Sequence, residues 1–224
     1  MKDATIITID GPSGSGKGSL ALGVAKFLKF HLLDSGAIYR LAALKALQTG
    51  VDLQQEQVVN EAIQKMDINF KLGNELTIPY LDGIDVADKI RLETTGEAAS
   101  IIAAYSSVRK TLLSRQQDYV QPPGLVADGR DMGTVVFPQA KIKIYLHASN
   151  EERAKRRYKQ LIDMGKSANI PRLQSDIAAR DERDSNRAES PLKPAQDAIV
   201  VDSSTMDQQQ VLELVLSHIN DVNK

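Results

Sequence analysis

A glycine-rich segment directly after an apolar run is the feature that most constrains the fold of this 224-residue chain. The run Thr5–Asp10 is apolar and β-branched, which predicts a buried strand. Residues 11–17 read Gly-Pro-Ser-Gly-Ser-Gly-Lys and fit the pattern G-x-x-x-x-G-K. A helical pattern of apolar residues then begins at Leu20. Strand, loop and helix in this order predict a phosphate-binding loop (P-loop) in an α/β protein.

The chemistry of phosphate binding explains the composition of this loop. Glycines allow the backbone angles at which N–H groups converge on phosphate oxygens. A helix that starts near Lys17 directs its positive end at the anion, and Lys17 adds a charge on the β and γ phosphates. The Ser or Thr that usually follows the lysine is Gly18 here, so Ser19 supplies the next hydroxyl. We therefore expect ATP to contact the whole loop, which consists of Gly11, Pro12, Ser13, Gly14, Ser15, Gly16, Lys17, Gly18 and Ser19.

Asp128 ends a second short apolar run, which begins at Leu125. A carboxylate at the end of a buried strand is typical of the residue that orients Mg²⁺ in P-loop enzymes. The alternative is a strand-end aspartate that caps the next turn. We expect Mg²⁺ at Ser19, with Asp128 beside it either directly or through water.

Strand and helix patterns alternate along most of the chain, which predicts a central parallel sheet flanked by helices. Asp34 and Ser35 can cap a helix that stops at Gly50, and another helix is expected over about 54–66. Helical character returns over about 90–119. The remaining expected elements are strands at 125–128, 142–146 and 198–202, charged helices over 151–164 and 172–187, and a last helix striped by Val211, Leu212, Val215, Leu216 and Ile219.

Residues 67–86 have a different pattern, in which apolar and polar residues alternate. Turn signals at Gly73-Asn74 and Asp82-Gly83 divide the segment into a predicted antiparallel meander of three strands. Pro79 lacks an N–H, so we expect its strand to be an edge strand or to be bulged there. A meander between helices indicates an inserted subdomain.

Two arginines follow predicted strands. Arg40 lies just beyond Ser35, at the start of a helix, and Arg130 follows Asp128 and Gly129. The planar fork of arginine suits bidentate phosphate binding, and ligands of parallel sheets sit at the carboxyl ends of the strands. Each arginine alone could equally form a surface salt bridge. Together with a P-loop they favour a kinase that holds a phosphorylated acceptor.

Four segments in order resemble the bacterial cytidylate kinases, which are P-loop nucleoside monophosphate kinases. They are residues 9–19, 32–40, 124–138 and 180–192, and the third reads GLVADGRDMGTVVFP. The resemblance implies transfer of a phosphoryl group from ATP to CMP or dCMP with Mg²⁺, in pyrimidine nucleotide metabolism. It also implies one P-loop kinase domain over 1–224. That domain would comprise a core (about 1–62, 92–150 and 190–224), an NMP-binding insert (about 63–91) and a helical lid (about 151–189).

The resemblance also implies roles for individual residues. Ser35, Arg40 and Arg130 would hold the CMP phosphate, and Ser100, Arg109 and Asp131 would read cytosine. Asp184 would meet the ribose beside Arg180 and Arg187; the spacing i, i+4, i+7 by itself places these three on one helix face. The catalytic residues would be Lys17, Asp128 and Arg130. In the lid, Arg153, Arg156 and Arg157 could donate to the transferring phosphate, with Arg157 at ATP; the alternative is a solvated charged helix.

Composition excludes several other classes. The net charge of −1 and 4% aromatic residues argue against a nucleic-acid-binding module. There is no cysteine, and no run is long enough for a signal-peptide core or a membrane span. We expect a cytoplasmic monomer without a membrane or nucleic-acid partner. Two alternatives stay open: a kinase of another acceptor, such as UMP, AMP or an alcohol, and a regulatory nucleotide switch.

Overall fold

The computed structural model describes residues 4–72 and 77–222. The chain divides into two compact units. The P-loop unit comprises Met1–Leu33 and Gln117–Lys224, and the inserted unit comprises Asp34–Gln116.

The described helices and strands follow the predicted order. The strands are β1 (Thr5–Asp10), β2 (His31–Asp34), β3 (Ile68–Leu72), β4 (Thr77–Leu81), β5 (Ile84–Asp85), β6 (Gly124–Gly129), β7 (Ile142–His147) and β8 (Ile199–Asp202). The helices are α1 (Lys17–Leu28), α2 (Ser35–Thr49), α3 (Glu56–Gln64), α4 (Ala87–Ile90), α5 (Glu93–Ile102), α6 (Ser106–Gln117), α7 (Asn150–Asp163), α8 (Ile170–Ser185) and α9 (Gln208–Val222). A π-helical turn over Met132–Val136 follows β6.

A five-stranded sheet in the order β2-β6-β1-β7-β8 forms the centre of the P-loop unit. β1 pairs in parallel with β6 and β7, and β7 pairs in parallel with β8. Buried aliphatic side chains of β1 and β7 pack with those of α1 and α9 in one core cluster. The prediction of a central parallel sheet flanked by helices is confirmed.

The register of this sheet sets the position of two loops. Ile9 lies opposite Asp128 in the β1–β6 ladder, and Asp10 lies opposite Gly129. The P-loop, which leaves β1 after Asp10, therefore starts at the same level as the segment that leaves β6 after Gly129. Both are at the carboxyl ends of parallel strands, where ligands bind in sheets of this kind.

Helices and a small sheet make up the inserted unit. Asp34 caps α2 by accepting a hydrogen bond from the Ala37 N–H at 2.9 Å, and Gly50 ends the helix at a φ of 70°, as predicted. β3, β4 and β5 form the predicted antiparallel meander. The predicted turn at Gly73-Asn74 lies outside the described residues.

The expectation for Pro79 was wrong. β4 is the central strand of its sheet. It pairs with β3 without a bulge, from the pair of Ile68 with Leu81 to the pair of Leu72 with Thr77. The N and C=O of one strand residue point to the same side, and the Pro79 carbonyl accepts a bond from Val86 N–H at 3.1 Å. The absent N–H therefore faces β5, which ends at Asp85. The proline fits because the ladder stops there.

The expected helical stretch over about 90–119 is interrupted: it is divided into α5 and α6, and the short helix α4 precedes it. Leu92 has an extended backbone with φ −64° and ψ 146°, which separates α4 from α5. After α5, the N–H groups of Ala104 and Tyr105 bond to carbonyls three residues back, at 3.1 Å each, which ends that helix. Neither break contains Gly or Pro, so the sequence carried no local signal for it. None of the helices in the described part of the chain is long and apolar enough to cross a membrane.

Candidate active site

The P-loop connects β1 to α1 in a conformation that only glycine-rich sequence can adopt. Gly16, at the N-cap of α1, has a φ of 94°, in the left-handed region. A side chain at Gly11 would collide with the carbonyl of Leu146 on β7. Lys17 is buried, and its Nζ donates to the carbonyl of Pro12 at 3.1 Å. Ser15 Oγ is also buried, and within the described residues it makes no hydrogen bond. The loop thus places the ammonium of Lys17 and the hydroxyl of Ser15, both buried, at a helix N-terminus, where an anion is stabilised.

Two arginines of α7 support this loop from outside. Arg153 Nη1 donates to the carbonyl of Ser13 at 3.0 Å, and Arg156 Nη1 donates to that of Ser15 at 3.1 Å. Arg156 also donates to Ser203 O at 2.5 Å. Arg157 donates to Gln160 on its own helix at 3.3 Å. Of the lid arginines, Arg153 and Arg156 therefore bond to loop carbonyls in this structure.

Asp128 lies against the first turn of α1. A Cβ placed on Gly18 would come within 3.3 Å of Asp128 Oδ2, so the absent side chain makes room for the carboxylate. Asp128 is buried, and Ser19, one residue after Gly18, is exposed. Among the described residues no group of three or more His, Asp or Glu side chains could hold a metal ion by itself. A cation at this place would take most of its ligands from phosphate and water.

A cluster of arginines surrounds the buried carboxylate of Asp184 in the same unit. Arg130 Nε lies 3.1 Å from Asp184 Oδ2, and Arg180 Nε lies 4.0 Å from the same oxygen. Arg187 Nε donates to the Asp184 carbonyl at 3.3 Å. Burial raises the pKa of Asp184, but the charges of Arg130, Arg180 and Arg187 outweigh it and lower the pKa below 3.8. The carboxylate is therefore ionised at neutral pH.

The P-loop and the helix of this cluster share a side chain. Arg153, which bonds to Ser13, also donates to Asp181 Oδ2 on α8 at 2.6 Å. Asp181 lies next to Arg180 and one turn before Asp184. The position of α8 is in this way linked to the loop that would hold the donor phosphates.

Asp10, the last residue of β1, is a further buried carboxylate at this end of the sheet. It is 5% exposed. Its Oδ1 accepts from Met132 N–H and its Oδ2 accepts from Gly133 N–H, each at 2.8 Å. Burial raises the pKa of Asp10 to about 6, although both backbone N–H groups act in the opposite direction. Asp10 thus fixes the segment that follows Arg130 and Asp131.

In the inserted unit, Ser35 and Arg40 lie on α2. Ser35 Oγ donates to Gln116 Oε1 at 2.7 Å, and Gln116 Nε2 donates to Leu112 O at 3.2 Å. Arg40 Nη1 donates to Ile90 O at 2.6 Å. The Arg40 guanidinium packs over Gly96 of α5, where a Cβ would come within 2.8 Å of Nη2. These two of the three predicted phosphate ligands are therefore held by neighbours within their own unit.

Two of the three residues expected to read cytosine lie on consecutive helices of this unit. Ser100 is on α5 and Arg109 is on α6, and both are buried. Arg109 Nη1 donates to Ala103 O at 3.2 Å, and its guanidinium carbon lies 5.7 Å from the centre of the Tyr39 ring. Arg109 beside the Tyr39 ring and the buried Ser100 are polar groups in a largely dehydrated setting.

Comparison with known proteins identifies the family. The family model described as cytidylate kinase matches residues 7–221. The chain belongs to this family. It is therefore a kinase, a phosphotransferase that acts on nucleotides, and the family and enzyme class predicted from the sequence are confirmed.

Relatives in the family match over nearly the whole chain. A cytidylate kinase from Aeromonas hydrophila is 54% identical over 215 residues, which are 96% of this chain and 94% of the relative. One from Pasteurella multocida is 49% identical and covers 98% of this chain and 96% of its own. Among solved structures, an uncharacterized protein from Eubacterium ventriosum superposes with a TM-score of 0.50 at 12% identity, over 96% of this chain and 98% of that one. The last comparison shows a likeness of fold alone.

The sequence pattern did not indicate three of the residues that organise the site. Asp10 ends an apolar strand directly before the P-loop, which is a weak signal for a buried carboxylate. Tyr39 and Gln116 looked like ordinary helix residues, and only the packing of the inserted unit brings them to Arg109 and Ser35.

Proposed function

We propose that this cytidylate kinase family member transfers the γ-phosphoryl group of ATP to CMP and dCMP, in line and with Mg²⁺, to give CDP and dCDP. The observation that carries the proposal is the cluster of Arg130, Arg180 and Arg187 around one buried carboxylate, Asp184, in the unit that contains the P-loop. Several guanidinium groups gathered at one place suit an acceptor that is itself anionic, such as a nucleoside monophosphate.

On the donor side, the backbone N–H groups of residues 11–19 and the ammonium of Lys17 would hold the β and γ phosphates of ATP. The buried hydroxyl of Ser15 and the position of Lys17 in the first turn of α1 support this role. Ser19 would hold Mg²⁺, with Asp128 beside it directly or through water. When bound, the ion would neutralise charge on the transferring phosphate. Arg157 would contact ATP.

On the acceptor side, Ser35, Arg40 and Arg130 would hold the CMP phosphate. Asp184 would meet the ribose, with Arg180 and Arg187 beside it. The ionised state of Asp184 suits it to accept a hydrogen bond from a ribose hydroxyl.

Ser100, Arg109 and Asp131 would distinguish cytosine from uracil. Cytosine offers an amino donor and two acceptors, so a carboxylate or serine can accept from it and an arginine can donate to it. Uracil reverses this polarity at two ring positions. All three side chains are buried, so each group left unsatisfied by uracil would cost roughly 1–3 kcal/mol.

Catalysis in this scheme needs positioning and charge neutralisation by Lys17, Asp128 and Arg130. A general base is not required, because the acceptor phosphate is already ionised near neutral pH. The core would comprise about 1–62, 92–150 and 190–224, the NMP-binding insert about 63–91, and the lid about 151–189. The three-stranded sheet within the insert range and α7 and α8 within the lid range support this division. The enzyme would act as a monomer in the cytoplasm.

The proposal is tested by ADP release at fixed ATP and Mg²⁺ with CMP, dCMP, UMP and AMP as acceptors. We expect CMP and dCMP to give kcat/KM values at least about tenfold above those of UMP and AMP. The reason is that each buried polar group left without a partner costs roughly 1–3 kcal/mol of binding free energy. Equal ADP release with all four nucleotides would refute the substrate assignment. ADP release that is independent of any acceptor would favour a nucleotide switch.

Arg40→Ala is expected to raise the KM for CMP by about tenfold or more and to leave the KM for ATP within about twofold, because a charge-assisted contact to phosphate is lost. Steady-state kinetics with each substrate varied in turn measure the two values. Arg91→Ala is the control, since Arg91 is an exposed arginine of the same unit. An unchanged response to CMP would remove Arg40 from the acceptor site.

A further inference from the structure

Asp10 is attached to both ends of the short segment that follows β6. At one end, Gly129 is paired with Asp10 in the β1–β6 ladder. At the other end, the N–H groups of Met132 and Gly133 donate to the two oxygens of the Asp10 carboxylate at 2.8 Å each. Arg130 and Asp131 are the residues between these attachments. One residue of β1 therefore holds both ends of the segment that carries them.

A carboxylate is well suited to this position. Met132 and Gly133 begin a π-helical turn, so their N–H groups have no acceptor within the turn. An ionised carboxylate has acceptor lone pairs on both oxygens and satisfies the two groups together. An amide of the same shape offers one oxygen and would turn an N–H₂ group toward the other donor. The interaction therefore requires the acid and not only its size.

These two attachments restrict the backbone of Arg130. Its side chain adds two further bonds, from Nη1 to Gly129 O at 3.2 Å and from Nε to Asp184 at 3.1 Å. Arg130 is thus held at its backbone through Asp10 and at its side chain through Asp184. Such a group is preorganised, and a preorganised ligand loses less conformational entropy when it binds.

We propose that Asp10 is a positioning residue for the acceptor: it acts through Arg130 and Asp131 and sets the affinity for the nucleoside monophosphate. The inference rests on the proposed function, because it needs Arg130 to hold the CMP phosphate. Asp10 precedes Gly11, the first residue of the P-loop, so a loss that affects ATP and CMP alike would indicate a general structural role.

The test is a double-mutant cycle of Asp10→Asn and Arg130→Ala, with the KM for CMP, the KM for ATP and kcat measured for each variant. We expect Asp10→Asn alone to raise the KM for CMP about tenfold, since a buried donor is left unsatisfied, and to leave the KM for ATP within about twofold. In the Arg130→Ala background the same change should raise the KM for CMP less than about threefold, because the residue through which Asp10 acts is gone.

Two controls separate a specific effect on CMP binding from a loss of folding. Asp118→Asn changes an exposed aspartate of the same unit and should behave as the wild type. Thermal unfolding checks that each variant is folded, and Asp10→Ser, which also removes the second acceptor oxygen, is measured beside Asp10→Asn. A CMP-selective effect of either Asp10 variant that disappears with Arg130→Ala supports the inference.

Other outcomes overturn it. Additive effects of the two mutations, or an equal rise in both KM values, would show that Asp10 does not act through Arg130. If Arg130→Ala raises the KM for CMP and Asp10→Asn does not, only the role of Asp10 is wrong. If Arg130→Ala itself leaves the KM for CMP unchanged, the acceptor site of the proposed function is wrong and the inference falls with it.

Discussion

Lys17→Ala is expected to lower kcat by about 10²–10³-fold while the chain stays folded. The ammonium of Lys17 lies in the first turn of α1, inside the loop that would surround the β and γ phosphates. Charge builds up on those phosphates during transfer, so a fixed cation stabilises the transition state more than the ground state. Within the folded chain, Nζ donates to the carbonyl of Pro12 at 3.1 Å, and this bond is lost in the variant. ADP release at saturating ATP and CMP measures the loss.

The matched control is Lys26→Ala. Lys26 lies on the same helix, in its last turn, and is exposed. We expect it to retain the turnover and thermal midpoint of the wild type. Retention of turnover by Lys17→Ala in a folded protein would refute the phosphate role of Lys17.

Asp184→Asn is expected to destabilise the folded chain by about 3 kcal/mol, which lowers Tm by roughly 10 °C in a protein of this size. The carboxylate is 3% exposed and compensates Arg130, Arg180 and Arg187. Without its charge these guanidinium groups repel one another in a partly dehydrated place. Urea unfolding and thermal scans without nucleotide measure the effect. The CMP response should weaken as well, because Arg130 loses its partner.

The pH dependence of this effect follows from the lowered pKa of Asp184. An acid whose pKa is lower in the folded chain than its ordinary value of 3.8 stabilises fully above about pH 4, and loses this contribution as the pH falls through the folded value. The gap in stability between wild type and Asp184→Asn should therefore be constant near neutral pH and narrow only in acid.

Asp176→Asn is the control on the same helix. Asp176 pairs with Arg172 at 3.9 Å, but its side chain is 60% exposed, so the pair contributes little. A change of less than about 0.5 kcal/mol is expected. If Asp184→Asn changed stability as little as this control, the arginine cluster would not depend on its carboxylate.

Local periodicity explains why so much of the fold could be predicted. β1, α1, the meander and the parallel strands are each encoded by apolar spacing over a few residues and by glycine or polar stops. The spacing of Arg180, Asp184 and Arg187 likewise implies a common helix face, and in the structure both arginines contact Asp184. The helix breaks near Leu92 and Ala104 could not be predicted from helix-breaking residues, because neither contains Gly or Pro.

The sequence by itself determined the P-loop, the order of the elements and, through four segments of which residues 124–138 are the most specific, the family. These are properties of contiguous residues, in which spacing and chemistry can be read directly. Only the tertiary structure decided how the charged residues are compensated: Asp10 holds backbone 122 residues away, and Arg130 meets Asp184 across 54 residues. The physical reason is that a buried charge must find partners wherever the fold brings them, and sequence spacing carries no information about such distant pairs.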